Sequence, residues 1–266
     1  MVGIKNKFFL FFFIFCANYL VAQESHGEYQ ISFVGFQMDY CEYDREGVLL
    51  DSEKSNFTDI TGAELQYRYF LDDFSNFALN IMEIEGNTEY IGSYIGSGTG
   101  YGSVVSTTSN IIRDISLGYN AKNLLSFKIM VLSGLGIGYR YWQRKLSSTQ
   151  VEVYEWYSLR ANVGIQFMHK NLTASFIAEY QHGIKPTMRA TGIADDYELS
   201  SANITKLSLP IRYMISNNID LTCAYVFEYQ KIKESDVVFD SIGNGYIEPD
   251  STAYNQYLKV GIVFKY

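Results

Sequence analysis

The sequence has little proline, histidine or cysteine, with three of each in 266 residues. It also lacks a long uninterrupted apolar run after its first two dozen residues. The best later candidate, residues 124–141, is broken by Ser126, Lys128, Ser133 and three glycines, which excludes a second transmembrane helix. Basic charge is scarce too. Twenty-one Lys and Arg against 29 Asp and Glu give a formal net charge of −8, which argues against nucleic acid as a partner. The scarcity of histidine weakens most enzyme readings. His26 stands near the amino terminus and His169 in a short turn segment. His182 follows Gln181 on the apolar side of a strand pattern. Cys41 and Cys223 carry no specific pattern, and Cys223 reads as a small hydrophobe on an apolar strand face.

What the chain does have is tyrosine, phenylalanine and glycine, at 23, 18 and 21 residues. Aromatics reach 16%, while the mean hydropathy is near zero. Such a composition with few prolines points to extended β-structure rather than helices. At the amino terminus Lys5 and Lys7 precede an apolar stretch, Phe8 to Phe15, and then Val21-Ala22 before a polar Gln23-Glu24-Ser25. This is the layout of a secretory signal peptide, too short in its apolar part for a membrane span. The expected organisation is therefore 1–22 as signal peptide and 23–266 as one domain.

The last strand is the clearest. In residues 257–266, Leu258, Val260, Ile262, Phe264 and Tyr266 fall on one face, and Tyr257, Lys259, Gly261, Val263 and Lys265 on the other. Strict period-two alternation of this kind marks a strand with one apolar face. It recurs over residues 61–70, 127–144, 157–167, 172–180, 205–215 and 219–229, and more weakly over 29–43, 76–90 and 111–120. The connections alternate in length. Short ones fall at 72–75, 121–123, 169–171 and 216–218, all rich in turn residues. Long ones fall at about 44–56, 92–108, 145–150, 192–203 and 233–253. Ten strands result, with both chain ends on the short-turn side.

This combination resembles the transmembrane β-barrels of bacterial outer membranes, the superfamily of small OmpA-like and porin-like barrels. They pair an even strand number with short periplasmic turns, long outer loops and polar-in, apolar-out alternation. The resemblance covers the whole chain after the signal peptide and assigns no single family. It implies an all-β, closed antiparallel transmembrane barrel in the outer membrane. It also implies that the Leu258-Val260-Ile262-Phe264-Tyr266 ladder is the terminal-strand signal read by the barrel-assembly machinery. A soluble barrel would show the same alternation with the apolar face inward. Long strands and apolar faces that end in tyrosine, such as Tyr139, Tyr141, Tyr157 and Tyr229, favour lipid outside.

With that orientation the lumen is expected to hold Glu64, Arg68, Lys128, Arg140, Arg160, Glu179, Arg212, Glu228 and Lys259. Charges removed from water must pair or stay wet. Side chains fill narrow barrels, so a plug of ion pairs is the primary expectation and an arginine-lined ion path the alternative.

No catalytic, cofactor or metal site is expected. A protease of the omptin type needs a carboxylate–histidine pair facing the outer cleft, and the text around His182 does not supply one. The acidic residues of the long connections (Asp44, Glu46, Asp51 and Glu53; Asp195, Asp196 and Glu198; Glu234, Asp236, Asp240, Glu248 and Asp250) lack the spacing of a calcium loop and read as a solvated surface. The glycine-rich 92–101 stretch is not followed by the lysine and helix of a phosphate loop.

The functional expectation is a structural or surface-interaction role, with loops meeting an external ligand. A small porin-like channel for ions or small solutes is the alternative, and an outer-membrane enzyme (protease or lipid-modifying) a distant third. Expected partners are outer-membrane lipids, lipopolysaccharide and the assembly machinery.

Overall fold

The computed structural model describes residues 26–93, 100–191, 196–240 and 242–266. The segment 1–22 read as a signal peptide, and Asp195, lie outside the described residues. Among the described residues there are fourteen strands: β1 Gly27–Gln37, β2 Asp39–Tyr43, β3 Leu49–Lys54, β4 Ile60–Asp72, β5 Ser75–Gly92, β6 Val104–Ser126, β7 Ile129–Lys145, β8 Val151–His169, β9 Leu172–Ala190, β10 Tyr197–Ser216, β11 Ile219–Ser235, β12 Val238–Phe239, β13 Gly245–Tyr246 and β14 Asp250–Lys265. Every pairing between them is antiparallel.

The sheet closes because β1 pairs with β4 on one side and β14 on the other, while β5 pairs with β6. Two ring positions are each built from two strands. β2 carries on from β1 and pairs with β14, and β3 leads into β4 and pairs with β5. The ring therefore has ten members, as the alternation requires. Residues 55–59 intervene between β3 and β4. Ser55 and Met38 hold this irregularity together, with the Met38 N–H donating to Ser55 Oγ at 2.9 Å and the Ser55 N–H to the Met38 carbonyl at 3.0 Å.

Tight turns at 73–74, 127–128, 170–171 and 217–218 mark one end of the ring, where Gly27 and Tyr266 also exchange backbone hydrogen bonds. The longer connections mark the other end. One expected turn is corrected. Residues 121–123 belong to β6, and the chain reverses at Phe127–Lys128. The β6–β7 ladder keeps one register from Ser109–Lys145 down to Leu124–Met130. A local Lys-Asn pair does not outweigh so many ladder bonds. Lys128 consequently lies exposed in a turn, not in the lumen, and Lys122 takes an inward position in its place.

The pleat alternates side chains across the wall. Outside, towards the tight turns, runs a continuous apolar belt. Leu135, Ile137 and Leu159 are 69%, 58% and 54% exposed, and the aromatic rings of Tyr139, Tyr157, Tyr180 and Tyr225 rim its upper edge. An apolar surface that encircles a monomer is far beyond the patches water tolerates. A membrane crossing takes about 9–11 tilted residues, but β6 has 23. The upper strands therefore project past the belt as a collar whose outer wall is polar, with Glu83, Glu85, Glu89, Thr107, Arg113 and Arg189 all exposed.

Candidate functional site

The interior has three storeys, distinguished by what the inward positions carry. The lowest, at the level of the belt, is a polar cavity of about 380 Å³. Its walls bear Gln30, Gln66, Asn80, Asn120, Asn162 and Gln166 among charged neighbours. Glu28 joins two strands here: Arg68 donates to it at 2.6 Å, and Arg212 donates to both its oxygens at 3.0 and 2.6 Å. Arg212 also pairs with Asp220, which Lys265 meets at 2.9 Å. Lys259 pairs with Glu64 at 2.8 Å, and Glu179 accepts a bond from Gln181 at 2.6 Å.

The middle storey is an ionic layer that crosses the barrel. Arg140 on β7 makes a two-pronged bond to Glu228 on β11, at 3.1 and 2.9 Å, and donates to Tyr257 Oη on β14 at 3.2 Å. Asn255 and Lys206 complete the Glu228 carboxylate at 3.0 and 3.1 Å. Lys206 leads on to Asp114 at 3.8 Å, and Asp114 is held by Arg160 at 2.5 Å. Planar guanidinium–carboxylate pairing of this type is the strong, directional form of ion pair. Glycine makes the last link possible. Arg160 starts on β8 and reaches Asp114 on β6 by lying across β7 at Gly138, where a Cβ would stand 2.4 Å from its Nε. Gly134 repeats the device lower down, where a Cβ would come within 2.5 Å of Asn120 Oδ1 and 2.6 Å of Asn162 Nδ2.

Above this layer the inward positions turn apolar. The Phe36 ring meets that of Tyr257 at a tilt, 4.7 Å between centroids, and Ile60, Ile84, Ile112, Trp142, Trp156, Met188 and Ile204 continue the packing. Pro186 and the left-handed Lys185 (φ 48°) form a bulge in β9 opposite Trp156. The bulge turns the face of β9 over, so that Glu179, Gln181 and Gly183 face inward below it and Met188 and Ala190 above. Val238 and Tyr246, from the small β12–β13 hairpin, pack on the top of this core.

The collar ends in a second charged cluster, beyond the belt. Arg144, 1% exposed, bonds to Glu53 through Nε at 2.9 Å and through Nη1 to Glu42 at 2.5 Å and Glu152 at 2.9 Å. Its guanidinium lies 4.5 Å from the Tyr40 ring. Asp51 lies 3.9 Å from it and accepts from Tyr90 Oη at 3.2 Å. Glu248 accepts from Tyr154 Oη at 2.5 Å. One arginine thus faces five carboxylates. Burial, reinforced by Glu42, pushes Asp51 up to about 9. Burial pushes Glu152 up to about 7, against the pull of Arg144, and holds Glu248 well above the carboxylate range. Protons on these groups remove repulsion that a single arginine cannot balance.

The expected lumen residues thus separate by level. Glu64, Arg68, Arg160, Glu179, Arg212 and Lys259 line the lower cavity, Arg140 and Glu228 form the layer above, and Lys128 is outside it. Sequence reasoning missed Glu28, Asp114, Lys206, Asp220 and the Arg144 cluster. The picture of the long connections as uniformly solvated is corrected for Asp51, Glu53 and Glu248, which are buried, whereas Asp44 and Asp240 cap exposed turns. The shared parity of Asp51 and Glu53 on β3, and a lone Arg144 above an aromatic run, were the available signals. His182 is on the outer wall, 2.9 Å from Asn203 Oδ1. Among the described residues no group of three or more His, Cys, Asp or Glu is arranged to hold a metal.

No protein-family model matches the chain, and no curated protein matches its sequence. Solved structures do match its shape. The outer membrane protease OmpT from Escherichia coli aligns over 94% of this chain and 99% of that one, with a TM-score of 0.61 at 9% identity. OprG from Pseudomonas aeruginosa aligns over 91% and 97%, at TM-score 0.39 and 11% identity. Neisserial surface protein A aligns over 91% and 98%, at 0.35 and 12%. The first is near enough in shape to support a statement of fold: the chain is a closed antiparallel β-barrel, similar in shape to that outer-membrane protein.

Proposed function

We propose that this chain is an integral protein of a bacterial outer membrane, with a sealed lumen, that acts at the cell surface through its projecting collar. The belt would meet lipid, the tight turns would face the periplasm, and the collar with its loops would meet lipopolysaccharide and external ligands. The observation that carries this reading is the middle storey. Arg140 and Glu228 are 2% and 0% exposed and, with the aromatic core above them, fill the middle of the interior with paired and packed side chains. A conducting porin needs a lumen whose charges stay hydrated, which is the condition of the lower cavity and not of the layers above it.

The reading assigns no catalysis. Its likeness to a protease is one of fold, and His182 faces away from the interior. Leu258, Val260 and Ile262 point outward on β14, as recognition of the terminal strand by an assembly machinery would require.

The test is single-channel recording of the refolded chain in a planar bilayer, with heat-modifiable gel mobility as the check on barrel formation. A heat-modifiable, electrically silent protein is expected. Steady, reproducible conductance steps would overturn the sealed lumen in favour of a small channel.

A further inference from the structure

The molecule divides its charge unevenly. The chain as a whole is acidic, at −8, and the collar cluster sets five carboxylates against Arg144. The lower cavity is the reverse. Six cations line it (Arg68, Lys122, Arg160, Lys206, Arg212 and Lys259) against four carboxylates, Glu28, Glu64, Asp114 and Glu179. Glu28 serves both Arg68 and Arg212, and Asp114 both Arg160 and Lys206; Asp220 and Glu228, outside the cavity wall, also pair with Arg212 and Lys206, as Lys265 and Arg140 do with them in turn. Among the described residues Lys122 has no ion pair, and its ammonium stands 5.6 Å from the Phe70 ring.

The cavity is also one-ended. Exposure of the basic side chains rises steadily towards the tight turns, from 2% at Arg140 through 10% at Arg160 and 17% at Lys259 to 24% at Arg212 and 31% at Arg68. The cavity is thus open towards that end and its exposure falls to 2% at the ionic layer. A cup with low-dielectric walls and an excess of one sign of charge concentrates counter-ions of the other sign. Its volume, about 380 Å³, lies at the small end of ligand pockets. The amide side chains on its wall add neutral donors and acceptors, and Gln66 Oε1 is buried without a hydrogen-bond partner.

We propose that this cup binds a small phosphate-bearing solute of hexose-phosphate size, entering from the tight-turn end. Lys122 and the Arg68–Arg212 pair would meet the phosphate, and the Gln66–Asn80 amides the hydroxyls. The proposal rests on the sealed-barrel reading for the side the cup faces; the binding itself is independent of it.

The test is calorimetric titration of the full refolded chain in detergent micelles. The probes are glucose 6-phosphate, inorganic phosphate and glucose. Saturable binding of glucose 6-phosphate is expected, at least tenfold tighter than glucose and several-fold tighter than inorganic phosphate. Lys122→Gln, which breaks no ion pair and so leaves the fold intact, is expected to weaken it about tenfold. Failure of glucose 6-phosphate to bind, or unchanged binding by Lys122→Gln, would overturn the cup. Equal affinity for inorganic phosphate would overturn the hexose-phosphate assignment. Conductance in the bilayer with saturable binding retained would sink the seal and leave the cup standing.

Discussion

Below the outer aromatic rim the barrel is apolar outside and polar within; above it the wall is polar outside and the interior is packed with Phe36, Trp142, Trp156 and Ile204. The same strands build both halves, β9 with its face turned over at the Lys185–Pro186 bulge. The lesson is that alternation tells which residues share a face, while the surroundings decide what chemistry each face must carry. In the lower half an inward arginine can keep water beside it. In the collar an inward arginine has only other side chains, and Arg144 is enclosed by ligands from β2, β3 and β8.

The sharpest way to break this contrast is to remove the buried cation of the collar. Arg144→Ala leaves Glu42, Asp51, Glu53 and Glu152 facing one another, and is expected to cost more than about 5 kcal/mol, beyond the usual penalty for breaking a buried pair. Both tryptophans of the chain belong to the collar core. Tryptophan fluorescence during urea unfolding should therefore report the loss, with partial recovery in acid. Arg140→Ala at the junction should cost about 3–5 kcal/mol for the same reason on fewer partners. It should lower the temperature of the heat-modifiable gel shift; an unchanged shift would contradict the plug.

A matched pair sharpens the comparison further. Trp156→Ala opens a cavity in the collar and should cost about 3–4 kcal/mol. Leu135→Ala, on the outer apolar belt, should cost about 2 kcal/mol, near the transfer energy of the lost methylenes. Equal losses would mean that the belt packs against protein.

Acidity gives the gentlest probe. Folding raises Glu152 from 4.5 to about 7 and Asp51 from 3.8 to about 9. An acid whose pKa rises on folding stabilises the fold fully below its unfolded value. That contribution fades as pH climbs through the folded value. The collar should therefore melt at lower temperature at pH 9 than at pH 5, read by tryptophan fluorescence. A collar more stable at pH 9 would reverse the sign.

Much of this architecture was legible in the chain. The ladder from Leu258 to Ile262 and the alternations of β7, β8, β10 and β11 follow the wall, because each has one outward apolar side. Legibility failed where a local rule met a longer-range one. Lys122-Asn123 looks like a turn, yet the ladder runs through it to Leu124–Met130. β9 reads as a strand only over 172–180, although it spans Leu172–Ala190, because the bulge at Lys185–Pro186 shifts the phase beyond it. The ion pairs were the least visible part. Arg140 meets Glu228 and Arg144 meets Glu53 across separations of 88 and 91 residues, and closure of the ring alone brings them together.

That bulge has a consequence for how β9 can change. Two residues, Lys185 and Pro186, stand where its neighbour β8 spends one, Trp156. The strand thus behaves like a text with a single inserted letter. Losing one of the two would leave everything up to Gly183 in frame, anchored by the pairs below. Every position after it would be misread, with Met188 and Ala190 delivered to solvent and Arg189 to the apolar core. Point substitutions along β9 are local edits, while a deletion at this one place would turn its last four residues, 187–190, inside out.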